Sequence, residues 1–159
     1  MREKIAKVVT GILGMLMLVG CTQLFVAGQA DQKNVSSIEG VWRTVVTPRN
    51  CATGAPLGIT FPGILMFSHG GTITGTSTAV TSAYGSWSRE PGAHEYSFRT
   101  LSFKYDAAGV LIGSRKITQN ATLDETGNTM ATNGGFQDYD VSGNPTISGC
   151  STATGVRFE

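Results

Sequence analysis

SIEGVWRTVVTPRNC, residues 37–51, is the stretch that decides the fold of this chain. One of the two faces that a strand would present here carries Ile38, Trp42, Thr44 and Val46. The alternation predicts a strand over residues 38–48, with Pro48 expected to bend the chain just before Cys51. We therefore expect an opening strand with a cysteine just beyond its end.

Composition and charge restrict the class of protein. The chain has 159 residues, enough for one domain of ordinary size and too few for two. Only 14% of the residues are charged while 21 are glycine, a balance that favours strands and turns over helices. The net charge is +1, and it is near neutral once the first thirty residues are set aside. No basic surface for nucleic acid is predicted.

Residues 1–30 are predicted to be an export signal. Basic residues near the start precede the apolar run VVTGILGMLMLVG, residues 8–20. Two cleavage sites are open: before Cys21, which ends the lipobox-like sequence LVGC and would then carry a lipid, or after Ala30. The first predicts a lipoprotein of the periplasm or outer membrane that touches the membrane only through its anchor. The second predicts a soluble secreted protein.

The remainder is predicted to be a flexible tail, residues 31–36, and a single all-β domain, residues 37–159. Short stretches rich in Thr, Val, Ile, Phe and Tyr alternate with Gly, Asn, Asp and Pro clusters, which is typical of an antiparallel meander. Eight strands are predicted near residues 38–48, 62–68, 72–79, 83–89, 94–106, 109–123, 127–139 and 145–158. The expected fold is an eight-stranded antiparallel up-and-down barrel. The irregular segment between Pro48 and Pro62 is expected to be a loop over one barrel mouth.

The cysteines test whether the sheet closes on itself. In an up-and-down sheet with an even number of strands, the first and last strands are antiparallel and become neighbours only in a closed barrel. A disulfide between Cys51 and Cys150 would then suit an exported protein. If these cysteines also report the pairing, partner positions sum to about 201, which sets Thr44 near Arg157 and makes Trp42 a diagonal neighbour. A bend at Pro48 before Cys51 would shift this register by one or two residues.

Gly40-Val41-Trp42 on the first strand and Arg157 on the last resemble a pair found in the calycin superfamily, which includes the lipocalins. There the arginine covers the indole and plugs one barrel end, and the resemblance implies the same role for Arg157, with Gly40 leaving room beside the ring. SIEGVWRTVVTPRNCATG and the terminal CSTATGVRFE also resemble a group of small exported bacterial proteins without an assigned activity. Other lipocalin motifs have no clear counterpart, so the resemblance implies a topology and no chemistry.

The sixth and fifth strands decide what lines the barrel. One face of the sixth strand carries Leu111, Arg115, Ile117, Gln119 and Leu123. If that face points inward, the lumen is apolar with a polar handle; if it points outward, Val110 and Ile112 fill the core instead. On the fifth strand, the apolar residues Tyr96 and Phe98 would lie on one face of a regular strand. The opposite face would carry Leu101, Phe103 and Tyr105. A bulge near residues 99–100 is expected to bring both sets to one face.

Three classes of function remain open, and we favour the binding of a small apolar ligand over an enzyme. The candidate ligand contacts are Trp87, Tyr96, Phe98, Arg115 and Gln119. A cofactor-free enzyme of the cyclase or isomerase type would use Arg115, Gln119, Tyr96 or Glu95. A protein-interaction or protease-inhibitor role would use residues 31–36. We expect no metal site and no cofactor, because His69 in a hairpin turn and His94 at a strand start are both expected to be solvated and two cysteines are assigned to a disulfide.

Overall fold

The structure is a computed structural model that describes residues 37–158, so the predicted signal segment and tail lie outside the described residues. Its strands are β1 (Gly40–Arg49), β2 (Phe61–Ser68), β3 (Thr72–Ser77), β4 (Val80–Arg89), β5 (Glu95–Tyr105), β6 (Leu111–Leu123), β7 (Thr129–Tyr139) and β8 (Pro145–Arg157). Each strand pairs with the next and β8 pairs with β1, which closes an antiparallel up-and-down barrel. The predicted fold class is confirmed. Residues 37–158 contain no helix with the length and apolar character needed to cross a membrane.

The two ends of the barrel differ in how they are filled. At the end where β1 begins and β8 finishes, the interior is packed with large apolar side chains that are at most 3% exposed. They are Ile38, Trp42, Phe67, Ile73, Tyr96, Leu123 and Met130. Burial of each such side chain stabilises the fold by about 1.5–3 kcal/mol relative to exposure. We call this end the plugged end, and the opposite end, which carries the β1–β2 loop, the mouth.

Arg157 lies over Trp42 at the plugged end. The indole is fully buried, and its Nε1 donates a hydrogen bond to the Ile38 carbonyl oxygen at 2.8 Å. The Arg157 Cζ atom lies 4.4 Å from the centre of the indole ring. The guanidinium also donates to the carbonyl oxygens of Glu39 at 2.6 Å and Gly127 at 2.9 Å. The arginine therefore covers the aromatic ring while backbone oxygens satisfy its donors.

The disulfide joins Cys51 to Cys150, as predicted, but it does not report the pairing of the two strands. The β1–β8 ladder ends where Arg49 pairs with Cys150, so Cys51 lies in the turn beyond it. Arg157 is consequently the direct partner of Trp42, two residues from the position opposite Thr44 and within the shift expected near Pro48. The shift exists because Cys51 lies beyond the last paired residue of β1.

The predicted bulge in β5 is absent. Pairing of β5 with β6 runs unbroken from Glu95 to Lys104, so every second residue keeps to the same face. The inward residues, at most 5% exposed, are Tyr96, Phe98, Thr100 and Ser102. The outward residues, 46%, 58% and 54% exposed, are Leu101, Phe103 and Tyr105. The register shift lies instead after Lys104, where Gly113 of β6 has a φ of 148°.

Candidate functional site

A cavity of about 90 Å³ lies inside the barrel between the plugged end and the mouth. The surface of its wall is mainly apolar and includes aliphatic side chains from β1, β2, β4, β6 and β8, together with Phe98 of β5. Polar side chains line the cavity at two places. Thr76 and Ser77 lie at the rim, near the β3–β4 turn, and the others are Thr44, Thr100, Gln119, Thr132 and Ser151. The space remains because inward residues at this level, such as Ala83 and Ala153, are small, whereas aromatic rings fill the plugged end.

Gln119 is the largest polar side chain in the cavity wall and is only 5% exposed. Its Nε2 atom donates a hydrogen bond to Ser151 Oγ at 2.9 Å. The two residues lie on β6 and β8, separated by β7, and both pair in register with Gly134. Because a glycine stands between them, no side chain of β7 blocks the amide from reaching the hydroxyl. The Oε1 atom of Gln119 is buried and accepts no hydrogen bond from any described residue.

A three-residue ion cluster lies on the mouth side of the cavity. The carboxylate of Asp138, 1% exposed, accepts hydrogen bonds from Arg115 Nε at 2.6 Å and from Lys104 Nζ at 2.6 Å. The Arg115 guanidinium also lies 4.1 Å from the ring centre of Phe136. Burial by itself raises the pKa of Asp138, but hydrogen bonds from Arg115 and Lys104, and their positive charges, outweigh burial and lower the pKa below its ordinary value.

Two of the predicted ligand contacts line this cavity, namely Phe98 and Gln119. Arg115 belongs to the ion cluster and is not part of the cavity wall. Trp87 and Tyr96 pack at the plugged end, with ring centres 5.9 Å apart, and Trp87 Nε1 donates to the Ser68 carbonyl oxygen at 3.0 Å. The sequence prediction therefore named side chains at three levels of the barrel as though they formed one site.

The inward orientation of the sixth strand is the alternative that the structure supports. Ile117 and Gln119 line the cavity, whereas Val110 and Ile112 are 58% and 47% exposed. Leu111 departs from its predicted face and is 43% exposed, because the register shift at Gly113 separates it from the rest of that face. The inner face of β6 thus supplies both the apolar wall and the polar handle.

Sequence reasoning missed Thr132, Ser151 and Asp138 as lining or rim residues. The register of the strands contains the missing information: Gly134 of β7 pairs with both Gln119 and Ser151, which sets these two side chains at the same level of the barrel. This information could have been used only after the strands had been aligned residue by residue. Alternation within one strand cannot supply that alignment.

Neither histidine belongs to a metal-binding cluster among the described residues. The side chain of His69 is 96% exposed and its Nδ1 lies 3.1 Å from Glu39 Oε1, as expected of a turn residue. His94 immediately precedes β5, in agreement with the predicted strand start, but it is half-buried and not solvated as expected. Within residues 37–158, no group of three or more His, Cys, Asp or Glu side chains could hold a metal ion.

Comparison with known proteins assigns no family to the chain. No protein-family model and no curated protein matches it. The function must therefore be inferred from the geometry and chemistry of the barrel.

Proposed function

We propose that this protein binds one small, largely apolar molecule inside the barrel. The observation that supports this proposal is the cavity of about 90 Å³, whose mainly apolar wall includes Phe98 and extends to Ser77 and Val80 beside the β3–β4 turn. A ligand there would lose its apolar contact with water, which favours binding by about 25 cal/mol for each Å² buried. Small-molecule sites commonly combine such walls with a few placed polar groups.

Export forms part of the same proposal. The Cys51–Cys150 disulfide is compatible with an oxidising compartment outside the cytoplasm. The predicted signal would direct the chain there, with cleavage either before Cys21 or after Ala30. An exported barrel of calycin-like topology would then serve as a carrier or receptor for its ligand. A lipid on Cys21 would hold that carrier at a membrane.

The enzyme alternative has weaker support. Its four candidate side chains do not converge on one place. Gln119 lines the cavity, Arg115 is held by Asp138, Tyr96 is buried at the plugged end and Glu95 is exposed. General acid–base catalysis needs the reacting groups within hydrogen-bond reach of one substrate. Binding requires only the cavity.

Filling the cavity tests the proposal. Ala153 lines the cavity, so Ala153→Leu adds three heavy atoms to its wall, whereas Ala131→Leu makes the same change on the outer surface next to β8. Furan, a five-membered ring, serves as the probe, and its affinity is measured from NMR shifts of cavity amides. We expect saturable binding to the wild type and to Ala131→Leu, with affinity reduced about tenfold or more in Ala153→Leu.

Two results would contradict this function. One is the absence of saturable shifts at Thr132 and Ala153 in the wild type. The other is equal furan affinity in Ala153→Leu and Ala131→Leu, since a site elsewhere on the barrel would not respond to filling this cavity. Thermal unfolding of both variants checks that each one is folded.

A further inference from the structure

The side-chain amide of Gln119 has a hydrogen-bond partner for its nitrogen but none for its oxygen among the described residues. Its Nε2 atom donates to Ser151, while its Oε1 atom is buried without a hydrogen bond from any described residue. Leaving a buried acceptor unpaired costs about 1–3 kcal/mol. Such an atom in a packed wall would be a defect, but this atom belongs to a residue that borders an open cavity. The cavity that Gln119 borders is where a donor for this acceptor would have to bind.

The neighbouring polar groups do not supply that partner. The hydroxyls of Ser151 and Thr132 accept from Gln119 Nε2 and from the Ala153 backbone amide, respectively, and neither one is a hydrogen-bond partner of Gln119 Oε1. Across the β5–β6 ladder, the residue opposite Gln119 is Phe98, which has no polar group. The Oε1 atom is therefore an unpaired acceptor on a residue that borders a largely apolar space. A ligand that carries one donor would gain an interaction there that an apolar ligand of the same size lacks.

We propose that the ligand of the barrel is a small apolar molecule with one O–H or N–H group, which donates a hydrogen bond to Gln119 Oε1. This inference rests on the proposed function, because it names the class of molecule that the cavity takes. The cavity volume of about 90 Å³ also limits the size of the part that enters. It is smaller than the cavity of about 150 Å³ that admits benzene in an engineered protein, so a ring of five atoms is a suitable probe.

Pyrrole and furan form a matched pair of probes. The two rings have nearly the same shape, but pyrrole carries an N–H donor where furan carries an oxygen. Each is titrated into the wild-type protein while NMR shifts of the Gln119 side-chain amide and the Ala153 backbone amide are followed. We expect pyrrole to bind about three to ten times more tightly than furan, the ratio that one net hydrogen bond provides.

The outcomes separate this inference from the proposed function. Equal affinities, or tighter binding of furan, would overturn the hydrogen bond to Gln119 and leave lumen binding intact. Binding of neither ring would overturn lumen binding itself. Because the comparison uses only the wild-type chain, it does not depend on whether a variant folds.

Two variants then assign the preference to one atom. Gln119→Leu removes the acceptor, and we expect pyrrole and furan to bind with equal affinity while furan binding is retained. Asn120→Leu is the matched control, because Asn120 is an exposed amide residue next to Gln119 on β6 and does not line the cavity. This control should keep the wild-type ratio. A pyrrole preference that persists in Gln119→Leu would contradict the assignment.

Discussion

At the scale of single residues, the plugged end depends on one glycine and one arginine. Gly40 has a φ of 121°, a backbone conformation that residues other than glycine rarely adopt. A Cβ atom at this position would also lie 2.8 Å from Arg157 Nη1. The same nitrogen donates to the carbonyl oxygen of Glu39, directly beside Gly40. The glycine therefore allows the arginine to approach the backbone and cover Trp42.

Arg157→Lys tests this arrangement. An ammonium group cannot donate to several separated carbonyl oxygens and also cover the indole as a planar guanidinium does. We expect the free energy of unfolding to fall by about 1–3 kcal/mol. Chemical denaturation followed by tryptophan fluorescence measures this loss. Arg43→Lys is the control, since Arg43 is exposed and lies 5.7 Å from the ring centre of Phe158. Equal stability of both variants would contradict the role of Arg157.

At the scale of strands, alternation predicted where each element lies better than which face it buries. All eight strands were found from pattern and turn residues, because both signals are local. The face of β5 was misjudged because Leu101, Phe103 and Tyr105 are apolar yet exposed. An apolar residue on the outer surface carries the same sequence signal as one in the core. Only pairing with β6 distinguishes the two, and pairing is not a property of one strand.

The ion cluster joins β5, β6 and β7 through Asp138, and its contribution to stability should depend on pH. The lowered pKa of Asp138 means that the folded state favours the ionised carboxylate. This stabilisation is present above the unfolded pKa of about 3.9 and is lost as pH falls through the lower folded value. We expect the free energy of unfolding of the wild type to decrease with falling pH in that acidic window. Urea denaturation at a series of pH values measures the decrease.

Asp138→Asn should flatten this acidic dependence, because an amide does not titrate. At neutral pH the variant should be less stable by about 1–3 kcal/mol, a range that allows for solvent screening of the partly exposed Lys104. Asp140→Asn is the comparison, since hydrogen bonds from Asn144 and neighbouring backbone amides in the β7–β8 turn lower the pKa of Asp140 as well. An unchanged pH dependence in Asp138→Asn would contradict the assignment to the cluster.

At the scale of the whole molecule, barrel closure was predictable and the cavity was not. Closure followed from an even strand number and two cysteines near the ends of the domain. The cavity depends on which inward side chains meet at one level, and that requires every register in the barrel. The β1–β8 register could be predicted only to within one or two residues, and a shift of two would by itself move Thr44 and Ala153 to different levels. Gln119 could thus be named as a polar handle, but its contact with Ser151 could not.

The disulfide should stabilise the closed barrel without shaping its cavity. Cys51 and Cys150 are 99 residues apart, and neither lines the cavity. Because their link restricts the unfolded chain, Cys51→Ser should lower the free energy of unfolding by about 2–5 kcal/mol. Furan affinity should stay unchanged, since the β1–β8 ladder closes through its own hydrogen bonds from Trp42 to Arg49. Urea denaturation of oxidised and reduced wild type is the matched control, and reduction should reproduce the loss. If reduction left the urea midpoint of the wild type unchanged, the stabilising role of the disulfide would be contradicted. If Cys51→Ser no longer bound furan, the independence of the cavity from the disulfide would be contradicted.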